Sequence, residues 1–165
     1  ILMEAREHER NIYFLGNGGS AVTASHFAND IGIGTRSWDK PFRAMSITDN
    51  AAVMTAIGND YGYEEWVKRA VEFYGDEGDV FIGISSSGSS KNILNGCNEA
   101  RKRNFSKIIT FSGMDNDNPL RKLGDINFWV DSKAYNHIEN IHQFLLLAVV
   151  DLVIGKEEYS ASPDE

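Results

Sequence analysis

The sequence is short of the residues that several protein classes depend on. It has one cysteine, Cys97, in 165 residues, so no internal disulfide forms and a disulfide-stapled scaffold is excluded. That economy fits a reducing, cytoplasmic setting. Basic residues are outnumbered, 16 Lys and Arg against 24 Asp and Glu, giving a formal net charge of −8. Nucleic acid is therefore not an expected partner, since phosphate-backbone binding needs a basic stripe. Long hydrophobic runs are also missing. The longest, Phe144–Val150, stops at Asp151 and is too short for a bilayer span, so no membrane partner is expected. No signal-peptide pattern, repeat, low-complexity tract or linker is visible. The chain starts at Ile1 rather than Met, which leads us to expect a longer parent with a further N-terminal segment.

What is present is an ordinary globular composition, 42% hydrophobic and 24% charged, enough for one domain with a real core. Short apolar runs alternate with amphipathic stretches. Strands are predicted at 11–15, 42–47, 79–85, 107–112 and 126–130. Helices are predicted at 20–31, 50–57, 63–74, 90–103, 119–123 and 135–154. Strands alternating with helices imply βαβ units, and near-continuous apolar strands imply a sheet covered on both faces. The predicted fold is α/β: a three-layer αβα sandwich around a mainly parallel, five-stranded, flavodoxin-like sheet, with residues 1–165 as one domain. Ligands of such sheets sit beyond the carboxyl ends of the strands, so the loops that follow strands are the place to search.

Two of those loops suit an anion. Gly16-Asn17-Gly18-Gly19-Ser20 follows the first strand and opens a helix. Glycines let backbone N–H groups approach a ligand, and a helix N-terminus favours negative charge. A tight turn capped by Ser20 is the plain alternative. The second loop, Ser85-Ser86-Ser87-Gly88-Ser89-Ser90, sets five hydroxyls and one glycine between a strand and a helix. Serine hydroxyls donate, accept and rotate to suit phosphate oxygens. Neither loop ends in the Lys-Ser/Thr of a nucleotide P-loop, and with Ala21 at the third glycine position the dinucleotide pattern is matched only weakly.

The segments GNGGSA, HFA, TDN, AIGNDYGYE and GDVFIGISSSGSS, in this order, resemble the sugar isomerase (SIS) domain family, and within it the phosphoheptose isomerase branch. The likeness runs from about Asn11 to Asp151. It implies that Ser85, Ser86, Ser87 and Ser90 hold a substrate phosphate, that Asn17 and Ser20 line the same cleft, and that Asp49 lies near the sugar. It also implies ketose–aldose isomerisation of sedoheptulose 7-phosphate or a related sugar phosphate, an early step toward surface-polysaccharide heptose. The branch carries an extra N-terminal helical segment that helps build a homotetramer, which this sequence lacks. Some members hold zinc.

The polar residues expected at the far end of the sugar depart from the family pattern. Its His and Glu, four residues apart on a helix, are here His26 and Asp30. Such a pair shares one helix face, but Asp is one methylene shorter. A family Gln is Glu139, the family His eight residues on is Leu147, and a family Arg falls on Gly34, with Arg36 close by. At about 100° per residue, His142 and Leu147 lie on opposite sides of Glu139, some 140° apart, so His142 does not replace the missing histidine. Asp30, Glu139 and His142 are the candidate acid–base residues, Glu139 and His142 as an i, i+3 pair. His26, Asp30 and Glu139 are the candidate zinc ligands. Bland readings stand beside these: a helix histidine packed on the sheet, a solvated aspartate, and a surface pair or subunit contact. Phe144–Val153 is apolar nearly all round and is expected to serve core and oligomer contact. Two functions stay open, an isomerase with a rearranged acid–base set and a non-catalytic phosphosugar- or protein-binding module.

Overall fold

The computed structural model describes residues 1–156. Five strands form one sheet: β1 (Asn11–Leu15), β2 (Arg43–Ser46), β3 (Val80–Ser85), β4 (Lys107–Ser112) and β5 (Ile126–Trp129). Their order across the sheet is β2-β1-β3-β4-β5, and every neighbouring pair is parallel. The expected sandwich is thus present, with a wholly parallel sheet. Among the described residues seven α-helices accompany it: α1 (Leu2–Glu7), α2 (Gly19–Asn29), α3 (Ala51–Tyr61), α4 (Trp66–Tyr74), α5 (Lys91–Lys102), α6 (Pro119–Leu123) and α7 (Tyr135–Ile154).

Side-chain alternation along the strands builds a core on each face. Ile12 and Phe14 of β1, with Ile82 and Ile84 of β3, meet Ala24 and Phe27 of α2 and Leu146 and Val150 of α7. Tyr13, Leu15 and Phe81 face the other way, onto Trp66, Val67 and Val71 of α4, Ile93 and Cys97 of α5, and Leu120 of α6. All six residues of β3 are buried, as a central strand covered by helices on both faces requires. Gly96 lets α4 and α5 approach, since a Cβ there would come within 3 Å of Val67. Asn50 caps α3 by accepting the Val53 N–H (3.1 Å), and Asn118 caps α6 by accepting the Arg121 N–H (3.0 Å), ahead of Pro119 in its first turn.

Besides shifts of element ends, such as α3 running on to Tyr61 and α4 starting only after a 3-10 turn at Tyr63–Glu65, the structure differs from the sequence expectations in three places. The short helix α1 was not anticipated; it is too short for a visible period and buries only Ala5. The helix after the first loop ends at Asn29 and continues as a π-helical turn, Asp30–Gly34. Third, α7 has the length and composition of a membrane span, although the longest apolar run is short. It packs along α2, and Ile138, His142, Leu146 and Val150 face inward as part of the domain. Ile141, Phe144 and Leu152 on α7 are exposed.

Candidate active site

In this strand order the chain leaves β1 toward one side and β3 toward the other, so a crevice opens between their carboxyl ends. Both glycine- and serine-rich loops meet there. Asn17, Ser20, Ser85, Ser86, Ser87, Ser90, Tyr135 and Glu139 line a cleft of about 150 Å³. Seven of these were expected from the sequence, and Tyr135 was missed.

The serine loop is tied down on several sides. Gly88 N–H donates to the Ser85 carbonyl (2.9 Å), Leu120 N–H to the Gly88 carbonyl (2.9 Å) and Gly113 N–H to the Ser86 carbonyl (3.0 Å). Gly88 adopts φ +64°, and a Cβ there would run into the Asn118 side chain. Ser85 and Ser90 hydroxyls bond each other (3.0 Å), and Ser87 accepts from the Ser89 hydroxyl (2.9 Å). The Ser86 hydroxyl has no partner although it is buried. A buried donor left unpaired costs free energy, about 1–3 kcal/mol, which a bound anion would recover.

Two helix N-termini flank these hydroxyls. α2 starts from Gly18 and α5 from Ser90, and neither cap residue makes a side-chain bond to its helix. In α2 the Ser20 and Ala21 N–H groups already donate to the Asn17 and Gly18 carbonyls (both 3.0 Å), so it is the first-turn N–H groups of α5 that are open to an anion. No Lys or Arg lines the cleft among the described residues. Hydroxyls and backbone dipoles are what it offers to an anion.

Asn17 is held by an arrangement that the sequence did not reveal. Its amide exchanges two hydrogen bonds with buried Asn92 of α5 (2.8 and 3.0 Å), and its Oδ1 also accepts from the Tyr63 hydroxyl (2.9 Å). This network joins the first loop to the start of α5, across the cleft. No sequence period couples residues so far apart.

Glu139 reaches the cleft from α7 and lies against the first turn of α2, where a Cβ on Gly19 would come within 3 Å of its carboxylate. Gly19 therefore makes room for Glu139. Changing Gly19→Ala should displace the carboxylate while leaving the helix intact, because the obstructed atoms end a flexible side chain. We expect about a tenfold loss of turnover, in line with small misplacements of reacting groups, with no fall in melting temperature. Steady-state kinetics and calorimetric melting of this variant check both parts.

The other expected acid–base and metal residues do not join the cleft. His26 and Asp30 form their i, i+4 contact, Nε2 to Oδ2 at 3.2 Å. The other ring nitrogen, Nδ1, accepts from the Gln143 amide (2.7 Å). Both ring nitrogens are thus engaged, and Glu139 lies elsewhere: it meets α2 at Gly19, seven residues and about 10 Å of helix from His26. Among the described residues no three His, Cys, Asp or Glu side chains gather around one point. The expected zinc set of His26, Asp30 and Glu139 is not assembled within this chain.

His142 is also not a cleft residue. Its ring is fully buried against Phe111, with centroids 5.7 Å apart, and donates from Nε2 to the Ser112 carbonyl (3.0 Å). Burial lowers its pKa from 6.5, a shift that the Ser112 bond partly opposes. It is a neutral core histidine rather than an acid–base group. Asp49 departs as well. β2 lies across β1 from β3, and the Asp49 carboxylate accepts from the Ser25 hydroxyl. It lines a separate depression with Asn29, Ser46 and Met45. Leu147 is half-buried on α7 and is not among the cleft residues.

A parallel α/β sheet carrying a glycine-rich and a serine-rich loop at its switch point defines the class of domain. The SIS domain family model matches residues 1–113, and the chain belongs to that family, in its phosphoheptose isomerase branch. The phosphoheptose isomerase of Helicobacter pylori (strain P12) is 35% identical over 153 residues, covering 93% of this chain and 79% of that protein. Among solved structures, the phosphoheptose isomerase of Neisseria gonorrhoeae superposes with a TM-score of 0.81 at 30% identity, covering 93% of this chain and 82% of that one. The enzyme from Francisella tularensis gives 0.83 at 28% identity, covering 94% and 82%.

Proposed function

We propose that this chain isomerises a sugar phosphate between ketose and aldose, with sedoheptulose 7-phosphate as the substrate. The reading places it at the entry to surface-polysaccharide heptose synthesis, as a cytoplasmic homo-oligomer, a tetramer by family resemblance. The observation that carries it is the unpartnered Ser86 hydroxyl, set between two helix N-termini in one cleft with the Glu139 carboxylate.

In this reading the phosphate oxygens accept from the Ser85, Ser86, Ser87 and Ser90 hydroxyls and from first-turn N–H groups of α5. Glu139 takes a proton from C1 of the open-chain ketose. The C2 oxygen gains a proton, giving an enediol; the C1 hydroxyl then loses its proton while Glu139 returns one to C2, and the aldose results. Ser20 and Tyr135 hydroxyls line the same cleft and can serve those oxygens.

The test is to add sedoheptulose 7-phosphate in deuterated water and follow aldose formation and C1 exchange, with and without zinc. Binding without exchange would refute the isomerase and leave the non-catalytic phosphosugar module. Ser86→Ala should raise KM about tenfold while kcat stays within a few-fold, since a hydrogen bond to a charged group is worth about 1.5–3 kcal/mol. An unchanged KM would remove the phosphate from this loop.

A further inference from the structure

His142 has a feature that a purely structural core residue does not need. Its Nδ1 is buried without a partner, in a layer shared with Phe111 and Leu146 where a leucine would leave no unpaired atom. The Ser112 carbonyl does not depend on it either, because that oxygen already accepts the Val130 N–H (2.9 Å). What the Nε2 bond adds is a tie between α7 and the carboxyl end of β4.

That tie lies beside the site. Glu139 precedes His142 by one helical turn on α7. Ile138, next to Glu139, packs so closely on Gly113 that a Cβ there would come within 3 Å of it. Gly113 follows Ser112, and its N–H holds the Ser86 carbonyl. The segment Ser112–Gly113 therefore touches both halves of the cleft, α7 through His142 and the serine loop through Ser86. The loop has its own further anchors at Gly88 and Leu120, whereas among the described residues the polar tie between α7 and β4 is the His142 bond.

We propose that His142 is a positioning residue. Its bond to the Ser112 carbonyl sets the height and rotation of α7 against the sheet, and so holds Glu139 in the cleft. The proposal rests on the isomerase reading for the role of Glu139.

The experiment is a double-mutant cycle of His142→Leu with Glu139→Gln, with His142→Gln as the conservative variant, read by C1 exchange and by calorimetric binding of sedoheptulose 7-phosphate. His142→Leu should lower kcat about tenfold, with KM within about twofold and no loss of melting temperature. His142→Gln, which keeps an N–H donor, should recover most of that rate. In the Glu139→Gln background His142→Leu should cost less than about twofold, because its effect passes through a carboxylate already removed. Equal losses in both backgrounds, or a Gln variant no better than Leu, would overturn the proposal. A wild type that binds the sugar but does not turn it over would instead refute the isomerase reading. The same cycle in binding affinity then decides on His142: coupled losses support it and additive losses overturn it.

Discussion

Replacing Glu139 with Gln is expected to lower kcat by about 10²–10⁴-fold, the usual contribution of a positioned general base, with KM for the sugar phosphate little changed. Gln is isosteric and still fits beside Gly19, so the cleft keeps its shape and only the proton acceptor is lost. Glu139 is the sole carboxylate lining the cleft among the described residues, whereas Asp30 is turned to His26 and Asp49 to Ser25. Stopped assays of aldose formation, with C1 exchange for the residual rate, measure the effect. Retention of near-wild-type kcat would show that the proton is moved by another group. A rise in KM alone would make Glu139 a binding residue.

Gly16→Ala should give the largest loss of stability of any one-carbon change in the cleft. A Cβ on Gly16 would lie within 3 Å of the Ser20 carbonyl group and the Ala21 nitrogen, all backbone atoms in the first turn of α2. Backbone cannot swing aside as a side chain does, so α2 must shift from β1. Overpacking of this kind costs about 1–3 kcal/mol, or roughly 2–12 °C in melting temperature for a domain of this size. The shift also carries Asn17 and Ser20 away from the serine loop, so phosphosugar affinity should fall with stability. Gly58→Ala is the control. Its Cβ would meet nothing within 4 Å, in the body of α3, and helix propensity favours alanine there by up to about 1 kcal/mol. Calorimetric melts of both variants, beside sugar-phosphate titrations, check the contrast. Equal melting temperatures would mean that the first loop tolerates displacement.

Opposite outcomes are thus expected for three glycines in or near helices. Gly16 faces fixed backbone, Gly19 faces the movable end of Glu139, and Gly58 faces open space. Composition alone would treat them alike.

The sequence by itself determined the layers and the loop half of the cleft. The runs IYFL, VFIGIS and KIITFS mark central strands because a sheet buried on both faces needs apolar side chains at every position. β1, β4, α6 and α7 fall on the predicted bounds. The two loops were legible because glycines and serines at strand-to-helix junctions act locally, through φ freedom and free N–H groups. The i, i+4 spacing of His26 and Asp30 likewise foretold their contact. Only the tertiary structure decided what lies opposite them. Helical spacing put His142 near Glu139 but could not say which side of α7 meets β4, and packing turned the histidine to Ser112 and the glutamate to Gly19. Strand order put Asp49 across β1 from the serine loop. Gln143 at His26, and Asn92 and Tyr63 at Asn17, come from distant elements that no period in the sequence relates. The glycine- and serine-rich loops are properties of contiguous residues, whereas the placement of Glu139 is a matter of how α7 sits on α2 and β4.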